Sequence, residues 1–251
     1  MMIKITKSCS MGCSHCMNNA QPCSEHMIMK TFEDALAFEQ KHGGPFTIIT
    51  GGEPTEHPFF MGMLTKALET KNHITVTTNG IWLQDKERLV EELYDNYAGP
   101  FWQVTNDHRY YPTAIDTSAP VFEMPNVVLC DKLDHLYPQG RTVTNNLPFF
   151  AKASKCFNVR AVTKQLYDMH QGDLSLKMIN DMMLMNQRFC TPHIAFDGSI
   201  RLGESDLCPV CSNIYRSEQE IIQDILNFRC KQCHHINQHL GPKLLSLIGE
   251  A

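Results

Sequence analysis

Three closely spaced cysteines near the start of the chain have the residue type and the spacing for metal chemistry. Cys9, Cys13 and Cys16 form a CxxxCxxC pattern, directly after an apolar stretch over residues 2–6 that is typical of a β-strand. Iron–sulfur clusters are held by cysteine thiolates, usually four of them. Three thiolates would leave one iron of a [4Fe–4S] cluster without a protein ligand. Such an iron could bind and activate a small molecule.

Half a zinc site or a disulfide cluster is the alternative interpretation of these cysteines. Structural zinc normally has four ligands, so His15 or Cys23 would have to complete the site. The zinc interpretation gives no role to a second motif further along the chain.

This second motif is Gly51-Gly52-Glu53-Pro54, which follows a buried-strand pattern over residues 46–50. In parallel α/β folds, ligands bind at the carboxyl ends of strands. Glycines there let backbone groups approach a ligand closely, and the Glu53 carboxylate could accept hydrogen bonds from an ammonium group. The motif therefore predicts a binding site next to the cysteines.

Strand-like and helix-like segments alternate over the first 130 residues. The predicted strands are residues 2–6, 46–50, 73–78, 101–105 and 127–129, and the predicted helices are residues 31–42, with Thr31 as N-cap, a helix opening near Pro58, and residues 85–97. Such alternation predicts right-handed βαβ units and a parallel sheet. The predicted fold class is therefore α/β, either open or barrel-like.

The tail of the chain is rich in cysteine. We place a domain boundary there, with a core over residues 1–186 and a small cysteine-rich β-hairpin-plus-helix domain over residues 187–251. Asp197-Gly198 predicts a hairpin with a type I′ turn, and Ser217 with Glu220 forms a capping-box pattern at a helix start. Because nine of the eleven cysteines cluster at the two ends of the chain, the sequence predicts two metal sites.

Composition and charge exclude several classes of protein. A net charge of −5 offers no general basic surface for nucleic acid. No apolar run approaches the roughly 18 residues of a membrane span, and no signal peptide is evident. We expect a cytoplasmic protein, in which abundant cysteine indicates metal ligation or catalysis and not disulfides.

Taken together, the CxxxCxxC and Gly-Gly-Glu-Pro motifs resemble those of the radical S-adenosylmethionine (radical SAM) family, and the resemblance covers residues 1–145. It implies a partial (β/α)6 TIM-like barrel. It also implies a [4Fe–4S] cluster whose open iron binds SAM, and an enzyme that cleaves SAM reductively to a 5′-deoxyadenosyl radical. That radical takes a hydrogen atom from a substrate. A reducing electron donor such as flavodoxin or ferredoxin is implied as a partner.

The same resemblance implies a set of SAM-binding residues. Thr78 and Asn79 match the end of the third strand. One or more of Thr105, Asn106 and Asp107 would contact the ribose. The remaining members are Gly51, Gly52, Glu53, Pro54 and Arg141, the last in a Pro-x-Gly-Arg sequence similar to one that often ends the fifth strand.

Two interpretations of the tail cysteines stay open. Cys208, Cys211, Cys230 and Cys233 fit a structural zinc ribbon, which leaves Cys190 without a role. The set Cys190, Cys208, Cys230 and Cys233 resembles the twitch or truncated SPASM domain of auxiliary-cluster radical SAM enzymes, and its spacing is similar to that of the 2-deoxy-scyllo-inosamine dehydrogenase family. That resemblance implies a second [4Fe–4S] cluster, with Cys211 surplus or replacing one of the four.

The function implied first is dehydrogenation of a small polar metabolite, with the auxiliary cluster as electron acceptor. One alternative is a peptide-modifying radical SAM enzyme that performs epimerisation or thioether formation. Another is an iron–sulfur electron-transfer protein without SAM chemistry.

Overall fold

The computed structural model describes residues 1–70, 72–133, 136, 139–147, 159–185, 192–203 and 205–229. The predicted metal ligands Cys190, Cys230 and Cys233 lie outside the described residues. Within the described residues the strands are β1 (Met2–Thr6), β2 (Phe46–Gly51), β3 (His73–Thr78), β4 (Phe101–Thr105), β5 (Val127–Cys130), β6 (Pro192–Ile194), β7 (Ser199–Leu202) and β8 (Val210–Asn213). The helices are α1 (Met29–His42), α2 (Phe60–Leu68), α3 (Ile81–Asp85), α4 (Glu87–Tyr97), α5 (Arg141–Thr144), α6 (Val159–Met169), α7 (Leu176–Met185) and α8 (Glu218–Asn227).

All eight of these strands belong to one sheet, in the order β5-β4-β3-β2-β1-β6-β7-β8. Neighbouring strands from β5 to β6 are parallel, whereas β7 is antiparallel to β6 and β8 is antiparallel to β7. The predicted α/β class is confirmed, and the mostly parallel sheet is consistent with a partial TIM-like barrel. The sixth parallel strand lies beside β1 and not beside β5.

The sheet is continuous across the predicted domain boundary at residue 186. Strand β6 pairs with β1 through Met2 with His193 and Ile3 with Ile194. The predicted hairpin of β6 and β7 is confirmed. The turn is not the predicted type I′. A type I′ turn needs a positive φ at both of its central residues, but of Asp197 and Gly198 only Gly198 has a positive φ, of 81°. The boundary itself stays a prediction.

The predicted helix starts are right in one case and wrong in another. Helix α8 begins with the expected capping box between Ser217 and Glu220. Helix α1 begins at Met29 after Ile28, two residues before the predicted N-cap, and no side chain caps it. Thr31 is instead buried inside the first turn, where its hydroxyl lies 3.3 Å from that of Tyr215.

The main core lies where the sheet packs against the helices. Trp102 on β4 is fully buried, with its ring centroid 5.8 Å from that of Trp82 on α3 and 6.4 Å from that of Phe60 on α2. Alternate strand residues therefore face the helices, which leaves the other face of β1 to β4 available for a site. No helix within the described residues is long and apolar enough to cross a membrane.

Substitution of Trp102 by Ala should lower the free energy of unfolding by about 3–5 kcal/mol, because it leaves a cavity in the core. Denaturant unfolding measures this. Phe101→Ala is the matched control, since the neighbouring ring is 44% exposed and its loss should cost about 0.5 kcal/mol or less. Equal effects of the two substitutions would contradict the orientation of β4.

Candidate active site at the strand ends

One cavity brings together most of the residues singled out in the sequence. Its volume is about 340 Å³, within the range of small-molecule sites, and it lies at the carboxyl ends of β1 to β4. Of the residues predicted to bind metal or SAM, its wall contains Cys9, Cys13, Cys16, Gly51, Gly52, Glu53, Thr78, Asn79 and Thr105. Residues from four separate strand ends therefore face one volume.

The loop that contains the three cysteines, which we call the cysteine loop (residues 7–27), is held from two sides. On one side, the backbone nitrogen and hydroxyl of Ser10 donate hydrogen bonds to Glu56 Oε1, at 2.8 and 2.7 Å. On the other, the start of α5 binds the loop carbonyls: Arg141 N donates to Cys16 O at 2.9 Å, and Thr142 Oγ1 donates to His15 O at 2.8 Å. These contacts hold the loop over the strand ends.

Two of the three cysteines, Cys9 and Cys13, are shielded from water, and Cys16 is partly exposed. Burial raises the pKa of the Cys9 thiol to about 11, and burial followed by the nearby Cys9 and Cys16 raises that of Cys13 to about 12. Without metal these two thiols are protonated at neutral pH, so metal binding must displace their protons. Within the described residues, no three His, Cys, Asp or Glu side chains are grouped to hold a single metal ion. A [4Fe–4S] cluster makes a different demand, because each thiolate binds its own iron.

Glu53 is the most enclosed acid of the cavity, with 2% of its surface exposed. Its carboxylate accepts hydrogen bonds from Thr78 Oγ1 and Asn79 N, both at 2.7 Å, and from Thr55 Oγ1 at 2.7 Å. Burial raises its pKa, and these donors oppose that rise. Glu53 thus joins the end of β2 to the end of β3, a structural role in addition to the predicted contact with SAM.

The two glycines before Glu53 permit a close approach between strands. A Cβ at Gly51 would collide with the carbonyl oxygen of Thr6, and one at Gly52 with that of Ser8. Gly52 N donates to Thr6 O and Glu53 N donates to Ser8 O, both at 2.7 Å. The motif therefore closes β2 onto the start of the cysteine loop.

The three residues predicted to contact the ribose, at the end of β4 and just after it, have different surroundings in the structure. Thr105 lies on the cavity wall. Asn106 is buried, and its amide donates to Asn79 O and Thr113 O. Asp107 pairs with Arg109 and accepts from Leu133 N at 2.8 Å. The Asp107 and Asn106 side chains therefore support the loop after β4, and their predicted contact with the ribose stays a prediction.

Arg141 and Pro54 also lie off the cavity wall. Strand β5 ends at Cys130, so the Arg141 sequence does not end the fifth strand as its resemblance implied. Arg141 instead opens α5, where its Nη2 donates to Ala20 O at 2.7 Å. Gly140 has φ of 56°, and a Cβ there would collide with Cys16 O. Pro54 is buried at the start of a 3₁₀ turn.

Sequence reasoning missed an aromatic part of the cavity wall. The Tyr111 hydroxyl lies 2.9 Å from Thr105 Oγ1, and the His15 ring lies 5.3 Å from the Tyr110 ring and 5.0 Å from the Tyr111 ring. Burial lowers the pKa of His15 to about 4, so this imidazole is neutral at pH 7. Adjacent tyrosines after a strand are too common a pattern to have identified this wall.

Part of the chain matches a known protein family. Residues 3–100 match the model of the radical SAM superfamily. This match supports the resemblance seen in the two motifs, over residues 3–100 of the chain. The matched range includes all three loop cysteines and Gly51 to Pro54. No curated protein sequence matches the chain.

Two solved structures of a SAM-binding protein show weak overall similarity. One, "Native anSMEcpe with bound AdoMet and Kp18Cys peptide", is 15% identical with a TM-score of 0.49, over 94% of this chain and 82% of that chain. The other, "Native anSMEcpe with bound AdoMet and Cp18Cys peptide", is 14% identical with a TM-score of 0.48, over 88% and 78%. At such scores the similarity carries no argument about the substrate of this chain.

The tail packs directly on the cysteine loop of the radical SAM domain. Ser205 Oγ donates to Met17 O at 2.8 Å, and Asp206 N donates to Asn18 Oδ1 at 2.9 Å. Two residues further along, Cys208 is 5% exposed, and Gln139 Nε2 lies 3.6 Å from its sulfur. Cys208 is therefore placed close to the loop of the first predicted cluster.

Cys211 has different surroundings. It lies on β8 and packs against the main hydrophobic core. Burial, with a smaller effect of Asp224, raises the pKa of its thiol to about 12. These surroundings are those of an inert structural thiol.

A buried charge network connects the tail with β1. Asp206 Oδ1 lies 3.2 Å from Lys4 Nζ and 3.6 Å from His193 Nε2, and all three side chains are almost fully buried. Burial alone would raise the pKa of Asp206, but His193 and Lys4 outweigh it and lower the value to about 2. The network fixes the segment before Cys208 against the floor of the cavity.

Glu53→Gln should destabilise the protein, because the new amide NH₂ would face hydroxyl and backbone donors that now bind a carboxylate. The expected loss is about 1–3 kcal/mol in the free energy of unfolding. Thermal or denaturant melting of protein without cofactors measures it. Glu69→Gln, at an exposed acid after α2, is the control. Identical melting of the two variants would show that the Glu53 contacts do not support the fold.

Asp206→Asn should change the pH dependence of stability. The carboxylate has a folded pKa of about 2 against about 3.9 when unfolded, so its contribution is full above pH 4 and lost as the pH falls toward 2. This contribution is about 2–3 kcal/mol. The variant is therefore less stable than the wild type at pH 6, and the difference in their free energies of unfolding narrows as the pH falls from 4 toward 2. Asp173→Asn, at an exposed position, is the control and should show no such narrowing. If the difference in stability between Asp206→Asn and the wild type did not change with pH, the stabilising role of the Asp206 carboxylate would be contradicted.

Proposed function

We propose that the chain is a radical SAM oxidoreductase that dehydrogenates a small polar metabolite. The observation that carries the proposal is the cavity at the strand ends, whose wall contains the three loop cysteines and the Gly51-Gly52-Glu53 turn together. A zinc site at the cysteine loop would leave that shared volume without a role. The size of the cavity, about 340 Å³, is in the range of small-molecule sites and favours a small substrate.

The donors present fit the implied cofactors. Cys9, Cys13 and Cys16 would supply three thiolates to a [4Fe–4S] cluster, and the polar turn after β2 would receive the amino group of SAM. When bound and reduced, the cluster with SAM supplies a carbon radical that removes a hydrogen atom from a substrate. The chain itself orients the bound groups and keeps water away from them.

Particular side chains serve these tasks. The hydrogen-bonded Glu53 keeps the ends of β2 and β3 at a fixed spacing. Thr105 and Tyr111 offer hydroxyl groups on the wall beyond them. Met11, Leu133 and Leu136 contribute apolar wall, which limits the access of water to the reacting atoms.

We further propose that a second [4Fe–4S] cluster binds in the tail, with Cys208 among its ligands and Cys190, Cys230 and Cys233 as the others. Support comes from the position of Cys208 against the cysteine loop, in contrast to the core position of Cys211. Oxidation of an alcohol to a ketone releases one hydrogen atom, one proton and one electron. A second cluster would supply the acceptor for that electron, and flavodoxin or ferredoxin in the cytoplasm would reduce the first.

Metal analysis after anaerobic reconstitution tests this proposal. We expect roughly eight irons per chain in the wild type and roughly four when Cys9, Cys13 and Cys16 are all changed to Ala. Cys208→Ala should also leave roughly four, whereas its partner variant Cys211→Ala should keep the wild-type content. The reduced wild type should convert SAM to 5′-deoxyadenosine, and the triple variant should not.

Three results would count against parts of the proposal. Roughly four irons with one zinc would make the tail a structural zinc site and remove the electron acceptor. Loss of metal in Cys211→Ala but not in Cys208→Ala would reverse the ligand assignment. Intact clusters that never cleave SAM would leave only an electron-transfer protein.

A further inference from the structure

A row of polar side chains crosses the cavity floor below the proposed SAM-binding residues. Lys4 on β1 pairs with Thr50 on β2, and Thr77 on β3 pairs with Gln103 on β4. Because Ile49 pairs with Val76, Thr50 lies beside Thr77. All four members of this row, which we call the polar row, line the cavity.

The position of the polar row separates it from the proposed cofactor site. On the carboxyl side of the row, the strands continue into the Gly51-Gly52-Glu53 turn and Thr105. On the other side lie Met2 and Ile48, which are paired and apolar. A molecule bound on the row would therefore lie in the barrel-like interior, directly below the cofactor.

Several groups of the polar row keep hydrogen-bonding capacity. Thr77 Oγ1 donates to Gln103 Oε1 at 3.3 Å, and this bond does not use the amide nitrogen of Gln103. Within the described part of the chain, neither that nitrogen nor the Thr50 hydroxyl has a hydrogen-bond partner. Polar groups on a cavity wall are satisfied by a ligand or by water.

The charge of the wall selects among polar ligands. Lys4 is 3% exposed, and its ammonium lies 3.2 Å from Asp206 Oδ1 and donates to Asn18 Oδ1 at 3.1 Å. Its charge is therefore compensated within the protein. Glu53 is the acid among the lining residues, and its carboxylate accepts hydrogen bonds from Thr55, Thr78 and Asn79. The row thus presents hydroxyl and amide groups without an uncompensated charge.

We propose that the polar row is the substrate-binding wall and that it selects an uncharged, hydroxyl-rich small molecule, a polyol. Hydroxyl groups both donate and accept, which matches the threonine hydroxyls and the amide of the row. An anionic or cationic substrate would lose water on entry and gain no counter-charge. The proposal rests on the proposed function, because it takes the volume above the row as the cofactor site.

Binding of matched probes tests the substrate class. Glucitol and myo-inositol are neutral polyols, whereas gluconate and glucamine are similar in size and carry one charge. Isothermal titration calorimetry on reconstituted protein with SAM should show neutral probes binding at least about tenfold more tightly than charged ones. Thr50→Val and Gln103→Leu should each weaken neutral binding about 2- to 10-fold, as expected for one hydrogen bond.

Thr75→Val is the matched control, because it removes a hydroxyl from the same sheet at a position outside the cavity wall, and it should bind like the wild type. Tighter binding of gluconate or glucamine, no binding of any probe, or equal effects of all three substitutions would overturn the polyol assignment. Cleavage of SAM by the wild type is measured separately. If cleavage occurs while the polyols fail to bind, only the substrate class is wrong; if cleavage fails, the proposed function is wrong.

Discussion

The site depends on the buried carboxylate of Glu53 at the end of β2. It accepts hydrogen bonds from Thr78 and Asn79, while the glycines before it bring β2 against the end of β1. A buried acid is costly unless its oxygens are hydrogen-bonded, and here the partners come from the neighbouring strand end. Satisfying this one group therefore sets the spacing of three strand ends, which in turn sets the width of the cavity.

The cysteine loop gains its position from segments distant in sequence. Glu56 holds one side and the start of α5 holds the other, with Arg141 bound to Cys16 O and Ala20 O. The tail adds a third support through Ser205 and Asp206. Because long-range contacts of this kind form only in the assembled fold, the loop and the tail are positioned together.

Sequence motifs and periodicity predicted the strands and helices that carry the site, but they did not predict the side-chain contacts between those elements. The strands before Gly51 and Asn79 follow from apolar runs ended by glycine and asparagine, and the α8 capping box is a local signal. The N-cap at Thr31 was wrong, since α1 already begins at Met29 and the Thr31 hydroxyl meets Tyr215, a residue far away in sequence. Lys4 could not be recognised as a cavity residue, because its partner Asp206 is about 200 residues away. The role of Arg141 likewise depends on partners that only the fold brings close, and Asp107 adds such a partner, Leu133 N, to its sequence neighbour Arg109.

The three cysteines and the Gly51-Gly52-Glu53 turn share one volume, so a cluster held by the cysteine loop would meet SAM directly. Electron paramagnetic resonance of the reduced, reconstituted protein tests this, with the tail cluster removed by Cys208→Ala to leave one signal. Addition of SAM should shift the g-values of that signal, because SAM would bind to the open iron of the cluster. A spectrum that is unchanged by saturating SAM would contradict the account.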